Sequence, residues 1–387
     1  MKNESSVTAQ VSYQLSVINT DGSTARVLSP RKNLLLDRGL DEVAGRQWCS
    51  LFDYFAIGTG SNPTSRDSGL ITFSIAGSVA SSSSAFFQNT DIGRILKLDT
   101  GEEMRITGYT DAQHVGVAFA GAAAAAQGTI WHVTDTALTS ENQRFNQISG
   151  DTGDHGYLWS GVDGKLSTWT TRVSNTVTDP AITFKEIGWS HSGYGGDGVN
   201  GRDLINGGAG DTLVNGQKYK VKLQLDRTIS PLAPRACPVI AGWGGSAQEA
   251  IETVGLSHWA SDGRLVARGA HEPSSNRAAF ALSATSAAFR APVFCTDAQA
   301  PDLGIINSVC SGVLQPYTAG SFYRDIQGFW DSGFATAANI RSILLCEDWY
   351  WGPWFAQRML MDADHAKTSA DKLTVTVRRS WGRILVN

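Results

Sequence analysis

Val11, Tyr13, Leu15 and Val17 alternate with polar neighbours, the period-two pattern of a strand with one buried face. Asn19-Thr20-Asp21-Gly22 follows as a turn, and residues 25–28 read as the returning strand. Leu36, Leu40, Val43 and Ala44 fall on one helical face, so the pattern predicts a helix over 33–44, weakened by Gly39. Residues 52–57 form a short apolar strand that ends in the loop Gly58-Thr59-Gly60-Ser61-Asn62-Pro63.

From Gly69 to Val133 the texture changes. Short strands are predicted at 70–75, 92–98, 103–109, 114–119 and 129–133, joined by tight turns such as Asp99-Thr100-Gly101-Glu102. Strands this short and closely spaced fit a small antiparallel barrel. Ala122–Ala126 is one turn long and flanked by glycines, and it is read as a loop. The polar sequence 134–141 then resumes the loop left at Asn62-Pro63. The segment 69–133 therefore reads as an insertion into a loop of a larger β-domain, which costs little in loop-closure entropy.

The parent domain continues with strands at 166–173, 182–189 and 219–225. Tyr219, Val221, Leu223 and Leu225 alternate cleanly with Lys218, Lys220, Lys222 and Gln224. The glycine-rich stretch 193–201 is a loop, and Pro231 to Pro234 marks a boundary. Beyond it the pattern recurs. Ile340-Arg-Ser-Ile343 parallels Ile182-Thr-Phe184, Arg358 parallels Arg202, and 373–377 parallels 219–225. This reads as a diverged second copy of the first domain.

The expected fold is all-β, with two antiparallel, jelly-roll-like β-sandwiches and a small β-barrel inserted in the first. The expected division is a flexible N-terminal arm at 1–9 and a first sandwich at 10–68 plus 134–230. The inserted barrel takes 69–133 and the second sandwich 231–387.

Composition narrows the function. Among 387 residues, 42% are hydrophobic, enough for packed cores, and only 18% are charged. A net charge of −4 with no basic block argues against electrostatic nucleic-acid binding. No apolar run reaches transmembrane length, and Met1-Lys-Asn-Glu-Ser-Ser-Val lacks the apolar core of a secretory signal. Synthesis in a cytoplasm, without membrane insertion, is the expectation. The five cysteines (Cys49, Cys237, Cys295, Cys310, Cys346) show no zinc spacing and are expected to be reduced, mostly buried thiols.

The chemistry-bearing patterns fall short of a catalytic constellation. Asp151-Thr152-Gly153 matches an aspartic-protease triplet, but it has no second copy and no preceding apolar strand. His155 and His191 sit near serines and aspartates without a nucleophile elbow. Asp197 to Asp203 lacks the ligand spacing of a calcium loop and reads as a turn. No catalytic residue, metal ligand or cofactor is assigned. The candidate site is instead Trp349, Tyr350, Trp351, Trp354 and Phe355, five aromatics within seven residues. Exposed, they would form a protein interface or a surface on which sugar rings stack.

Three segments carry a family resemblance. They are Asn33-Leu34-Leu35…Gly39-Leu40-Asp41, Phe55-Ala56-Ile57-Gly58-Thr59-Gly60, and Ala137-Leu138…Glu141…Arg144. Together with Glu186-Ile187-Gly188-Trp189 and the strand 217–225, they resemble structural proteins of tailed-bacteriophage virions, of the tail, baseplate, collar or fibre type. The segment from Asp91 to Val115 also looks like a small β-module of virion proteins. The likeness spans about 10–230, and in it the Gly-Thr-Gly loop runs straight to the Ala-Leu segment where this chain carries an insertion. It implies a non-enzymatic virion component, assembled in the bacterial cytoplasm as a homo-oligomer in contact with other virion proteins. The alternative is a receptor-binding or decoration module that holds host surface glycan on its aromatics.

Overall fold

The computed structural model describes residues 3–46, 48–146, 156–160, 165–178, 180–229, 235–237, 247–250, 255–259, 265–269, 279–283, 305–331, 340–347, 354–365, 368–370 and 372–385. The fold is all-β, with one short α-helix, Asp37–Val43, among the described residues.

The largest sheet has thirteen strands. Its main path runs Glu141–Phe145, Tyr54–Gly58, Glu186–Ser190, Gly201–Leu204, Arg31–Leu35, Asn3–Ile18, Lys218–Ile229, Lys165–Val173 and Gly156–Ser160. The strand Arg31–Leu35 is the hinge of this path. Residues 31–33 pair with Tyr13 to Val11, whereas Leu34 and Leu35 pair with Arg202 and Gly201. The sheet thereby folds over, and its two parts enclose one core. Val11, Tyr13, Leu15 and Val17 from one part meet Phe55, Ile57, Ile187 and Trp189 from the other. The Tyr13 and Trp189 rings lie 5.1 Å apart, edge to face.

The predicted alternation at 11–17 is present, with every second residue buried from Val7 to Val17. The helix expected over 33–44 is shorter. Leu34, Leu35 and Leu36 are all buried, with Leu35 in the main core and the other two in a second core on the opposite side. Such two-sided burial is met by a strand, so helix begins only at Asp37.

Residues 65–131 make a separate six-stranded antiparallel sheet. Its order is Ser65–Asp67, Gly128–Trp131, Ile95–Leu98, Glu103–Asp111, His114–Ala126 and Phe73–Ser82. It has its own core, built on Phe73, Leu96, Leu98, Met104, Ile106, Val115, Val117 and Ile130. The alanines 122–126, expected as a loop, are strand: Ala122 and Ala123 pair with Ala76 and Ile75. Cross-strand pairing outweighs the weak strand preference of alanine. The strand Phe73–Ser82 doubles back near Gly77, where φ is +61°. Ten residues of straight strand would separate its ends by about 30 Å. Instead the Ser83 N–H donates to the Thr72 carbonyl at 2.9 Å.

Two boundaries differ from expectation. Residues 3–9, read as a flexible arm, belong to the strand Asn3–Ile18, and residues 7–9 are paired on both edges. The partner on the second edge is Leu373–Arg383, which runs parallel to residues 3–9 and antiparallel to Tyr323–Trp330. The first sheet therefore recruits strands from beyond residue 231. The closing strands of the two proposed copies, Lys218–Ile229 and Leu373–Arg383, flank the same first strand. A further six-stranded sheet holds Arg235–Cys237, Ala247–Ala250, Trp354–His365, Ile340–Glu347, Ala279–Ser283 and Ile305–Ser311, in that order. The linker 231–234 lies outside the described residues.

Candidate functional site at the base of the inserted module

The strand Glu186–Ser190 is buried on both faces. Ile187 and Trp189 enter the main core, which turns Glu186 and Gly188 toward the place where the chain leaves for the insert and returns from it. Glu186 is 0% exposed. Its carboxylate accepts the backbone N–H groups of Gly60 at 3.2 Å, Thr139 at 3.0 Å and Ser140 at 2.7 Å. Gly60 belongs to the outgoing connection and the other two to the returning one, so a single carboxylate clasps both.

Arg202, 2% exposed, supplies the countercharge. Its Nη2 lies 3.4 Å from Glu186 Oε2 and donates to the Asn62 carbonyl at 2.5 Å, and its Nη1 donates to Asp135 at 2.6 Å. Burial of the pair is supported because both members also bond to the two connections.

The glycines here are demanded by space. A Cβ on Gly58 would lie 2.3 Å from the Ser140 carbonyl oxygen. One on Gly60 would lie 2.4 Å from Glu186 Oε1 and 2.5 Å from Thr139 Cβ. One on Gly188 would lie 3.0 Å from the Leu138 side chain. Three of the segments that carry the family resemblance thus contribute five residues, Gly58, Gly60, Leu138, Glu186 and Gly188, to one small region.

Glu141 and Arg144 act next to it. Arg144 makes a two-pronged bond to Glu141, both prongs 2.8 Å, and donates to the carbonyls of Ser192 at 2.9 Å and Gly198 at 3.1 Å. This pins the glycine-rich loop at both ends. Ser192 and Asp197 close it internally at 2.5 Å, and Gly198 takes φ +70°. At the crown stands Tyr194, 79% exposed. Asp197 is engaged within the loop, in keeping with its reading as a turn residue. His191, beside the loop, has its pKa lowered by burial, partly offset by Glu42 at 3.8 Å.

The aromatic run predicted as the site is not brought into this region by any described contact. Trp349, Tyr350 and Trp351 lie outside the described residues. Trp354 and Phe355 open the strand Trp354–His365, paired with Glu347 and Cys346, and their side chains are outside the description. Asp151 to His155 are likewise outside it, as are the cysteine side chains. Among the described residues no cluster of His, Cys, Asp and Glu is arranged to hold a metal, and no helix is long and apolar enough to cross a membrane.

Sequence reasoning quoted Glu186 and Arg202 only as parts of motifs and missed Tyr194. The available signal was an acidic residue heading an apolar strand, Glu186-Ile187-Gly188-Trp189, with glycine at the alternate position. Comparison with protein-family models, curated proteins and solved structures found no match to this chain.

Proposed function

We propose that this protein is a non-enzymatic structural component of a tailed-phage virion, of the tail, baseplate, collar or fibre type, that works through protein contacts as a homo-oligomer. In this reading the folded-over first sheet is one β-sandwich, the 65–131 module is a small closed barrel, and the sheet that holds Ala279–Ser283, Ile340–Glu347 and Trp354–His365 belongs to a second sandwich. The doubled-back strand Phe73–Ser82 supports barrel closure, because Ser83 and Thr72 bond across what would otherwise be an open edge.

One observation carries the reading. Three of the segments that resemble virion proteins, at 55–60, 137–144 and 186–189, meet in the Glu186 clasp, where buried polar groups fix an appended module to a β-scaffold. Glu186 directs its carboxylate to backbone N–H groups and an arginine, and Arg144 serves to hold a loop. Such an arrangement positions a surface. The test is to locate the chain in purified particles by reconstruction and to measure the recombinant protein by sedimentation. An oligomer present in particles supports the proposal. A strict monomer absent from particles overturns it.

The glycan-binding alternative gains one specific observation, the exposed Tyr194 on a pinned loop. A rigidly held aromatic loses little entropy on binding. A glycan array comparing wild type with Tyr194→Ala, Trp349→Ala and Trp354→Ala decides it. Binding that is lost in a variant favours it, and no binding by wild type removes it.

A further inference from the structure

The segment 373–385 touches more of the fold than a terminal strand needs to. Its strand lies parallel to residues 3–9, and the Ile384 N–H extends the pairing by donating to the Ala9 carbonyl at 3.0 Å. Trp381 crosses to the helix, where its indole N–H donates to the Leu40 carbonyl at 2.7 Å. Arg383 donates to the Leu35 carbonyl at 2.6 Å and also to Asp37, at the start of the helix.

Asp37 is shared. Arg105, on the Glu103–Asp111 strand of the inserted module, grips the same carboxylate at 2.7 and 3.1 Å. The two guanidinium groups stand on the same Phe322 ring, each 5.9 Å from its centre. A second link lies alongside. Lys97 of the module donates to the Leu385 carbonyl at 2.5 Å, and Leu385 is buried in the core that Ile95 and Trp131 of the module cover.

The module is therefore attached twice. The Glu186 clasp holds its root, and that root consists of two neighbouring chain connections, which by themselves define a pivot. Of the module's other contacts, Lys97 to Leu385 is its direct bond to the segment 373–385, while Arg105 reaches that segment only through the Asp37 carboxylate it shares with Arg383. Ile95 and Trp131 pack on Leu34, Leu36 and Ala56 as well as on Leu385. We infer that the C-terminal segment 373–385 is a strap that sets the direction in which the inserted module points, and that displacing the strap frees the module to swing on the Glu186 clasp. The inference is independent of the particle or partner that the protein serves.

Pulsed electron spin resonance on the full chain tests this. Spin-labelled unnatural amino acids at Asp21 and Gln113, both exposed, report the body-to-module distance. Wild type gives one narrow distribution. The double variant Arg383→Met/Lys97→Met gives a distribution at least twice as wide, with the core strands still protected from hydrogen exchange. Arg144→Lys, outside the strap, leaves the width unchanged. A folded double variant as narrow as wild type overturns the inference. Should the double variant fail to fold, Lys97→Met alone gives the same reading, because it removes the module's direct bond to the strap and leaves Arg105 on Asp37.

Discussion

Glu186 and Arg202 sit on paired strands, both withdrawn from solvent, with Oε2 and Nη2 3.4 Å apart. Between them they bond to Gly60, Asn62, Asp135, Thr139 and Ser140, on the connections that lead out to the inserted module and back.

Removal of Glu186 leaves Arg202 with Asp135 alone as countercharge and strips the Gly60, Thr139 and Ser140 N–H groups of their buried acceptor. Removal of Arg202 leaves the Glu186 carboxylate without a cation. Glu186→Ala should destabilise the protein by about 3–5 kcal/mol, as breaking a buried pair does. Glu186→Gln should cost less, about 1–3 kcal/mol, because it keeps an acceptor. Urea unfolding checks both values. Adding Arg202→Met to Glu186→Ala should recover part of the loss, and strict additivity would count against the pairing.

Gly60→Ala places a methyl group 2.4 Å from the Glu186 carboxylate. The expected cost is about 1–3 kcal/mol, that of overpacking a tight site. Proteolysis should find the damage locally, with cleavage rising in 59–64 before the module core opens. Gly22→Ala is not an equivalent control, because its φ of +84° strains any side chain. Gly45→Ala, with open space around it, is the suitable one.

Arg144→Lys keeps the charge but loses the fork that holds Glu141 and two loop carbonyls. Amide exchange over 192–198 should accelerate, while the melting temperature falls by only a few degrees, about the shift expected for 1 kcal/mol. Equal acceleration across the whole sheet would show that Arg144 supports the fold as a whole and not the Tyr194 loop.

His191 titrates below its ordinary value of 6.5, chiefly because burial disfavours the charged ring, and Arg46 and Arg38 act in the same direction. Glu42 and Asn200 oppose this. The unfolded chain therefore binds more protons than the folded one just below pH 6.5, and stability falls as pH drops through that window. His132, also lowered by burial, adds the same sign. His191→Gln should flatten the acid limb of the stability curve below pH 6.5. An unchanged slope would show that other groups govern it.

The strands were legible wherever one face is buried. Val11 to Val17 and Tyr219 to Leu225 announce themselves by period two, and the core they form is the one expected. The separate sheet at 65–131 coincides with the change of texture between two stretches of polar loop. Where both faces are buried the signal failed. Leu34 and Leu35 look like part of a helix and are strand, because a run of apolar residues carries no period. Ala122–Ala126 has no pattern to read at all, and its pairing with Phe73–Ser82 decides its state.

The candidate site divides in the same way. Its ingredients, Gly58, Gly60, Leu138, Glu141, Arg144 and Glu186, stand in the segments that looked distinctive in the sequence. Their joint purpose does not, because Glu186 meets Gly60 across 126 residues of chain. Sequence by itself determined the all-β class and the main core faces, since these follow from local periodicity and turn chemistry. Tertiary structure alone decided that the strand Leu373–Arg383 lies against residues 3–9, that Asp37 joins Arg105 to Arg383, and that Tyr194 stands exposed. Pairing partners and shared countercharges are set by which distant groups can be desolvated together, and no local pattern encodes that choice.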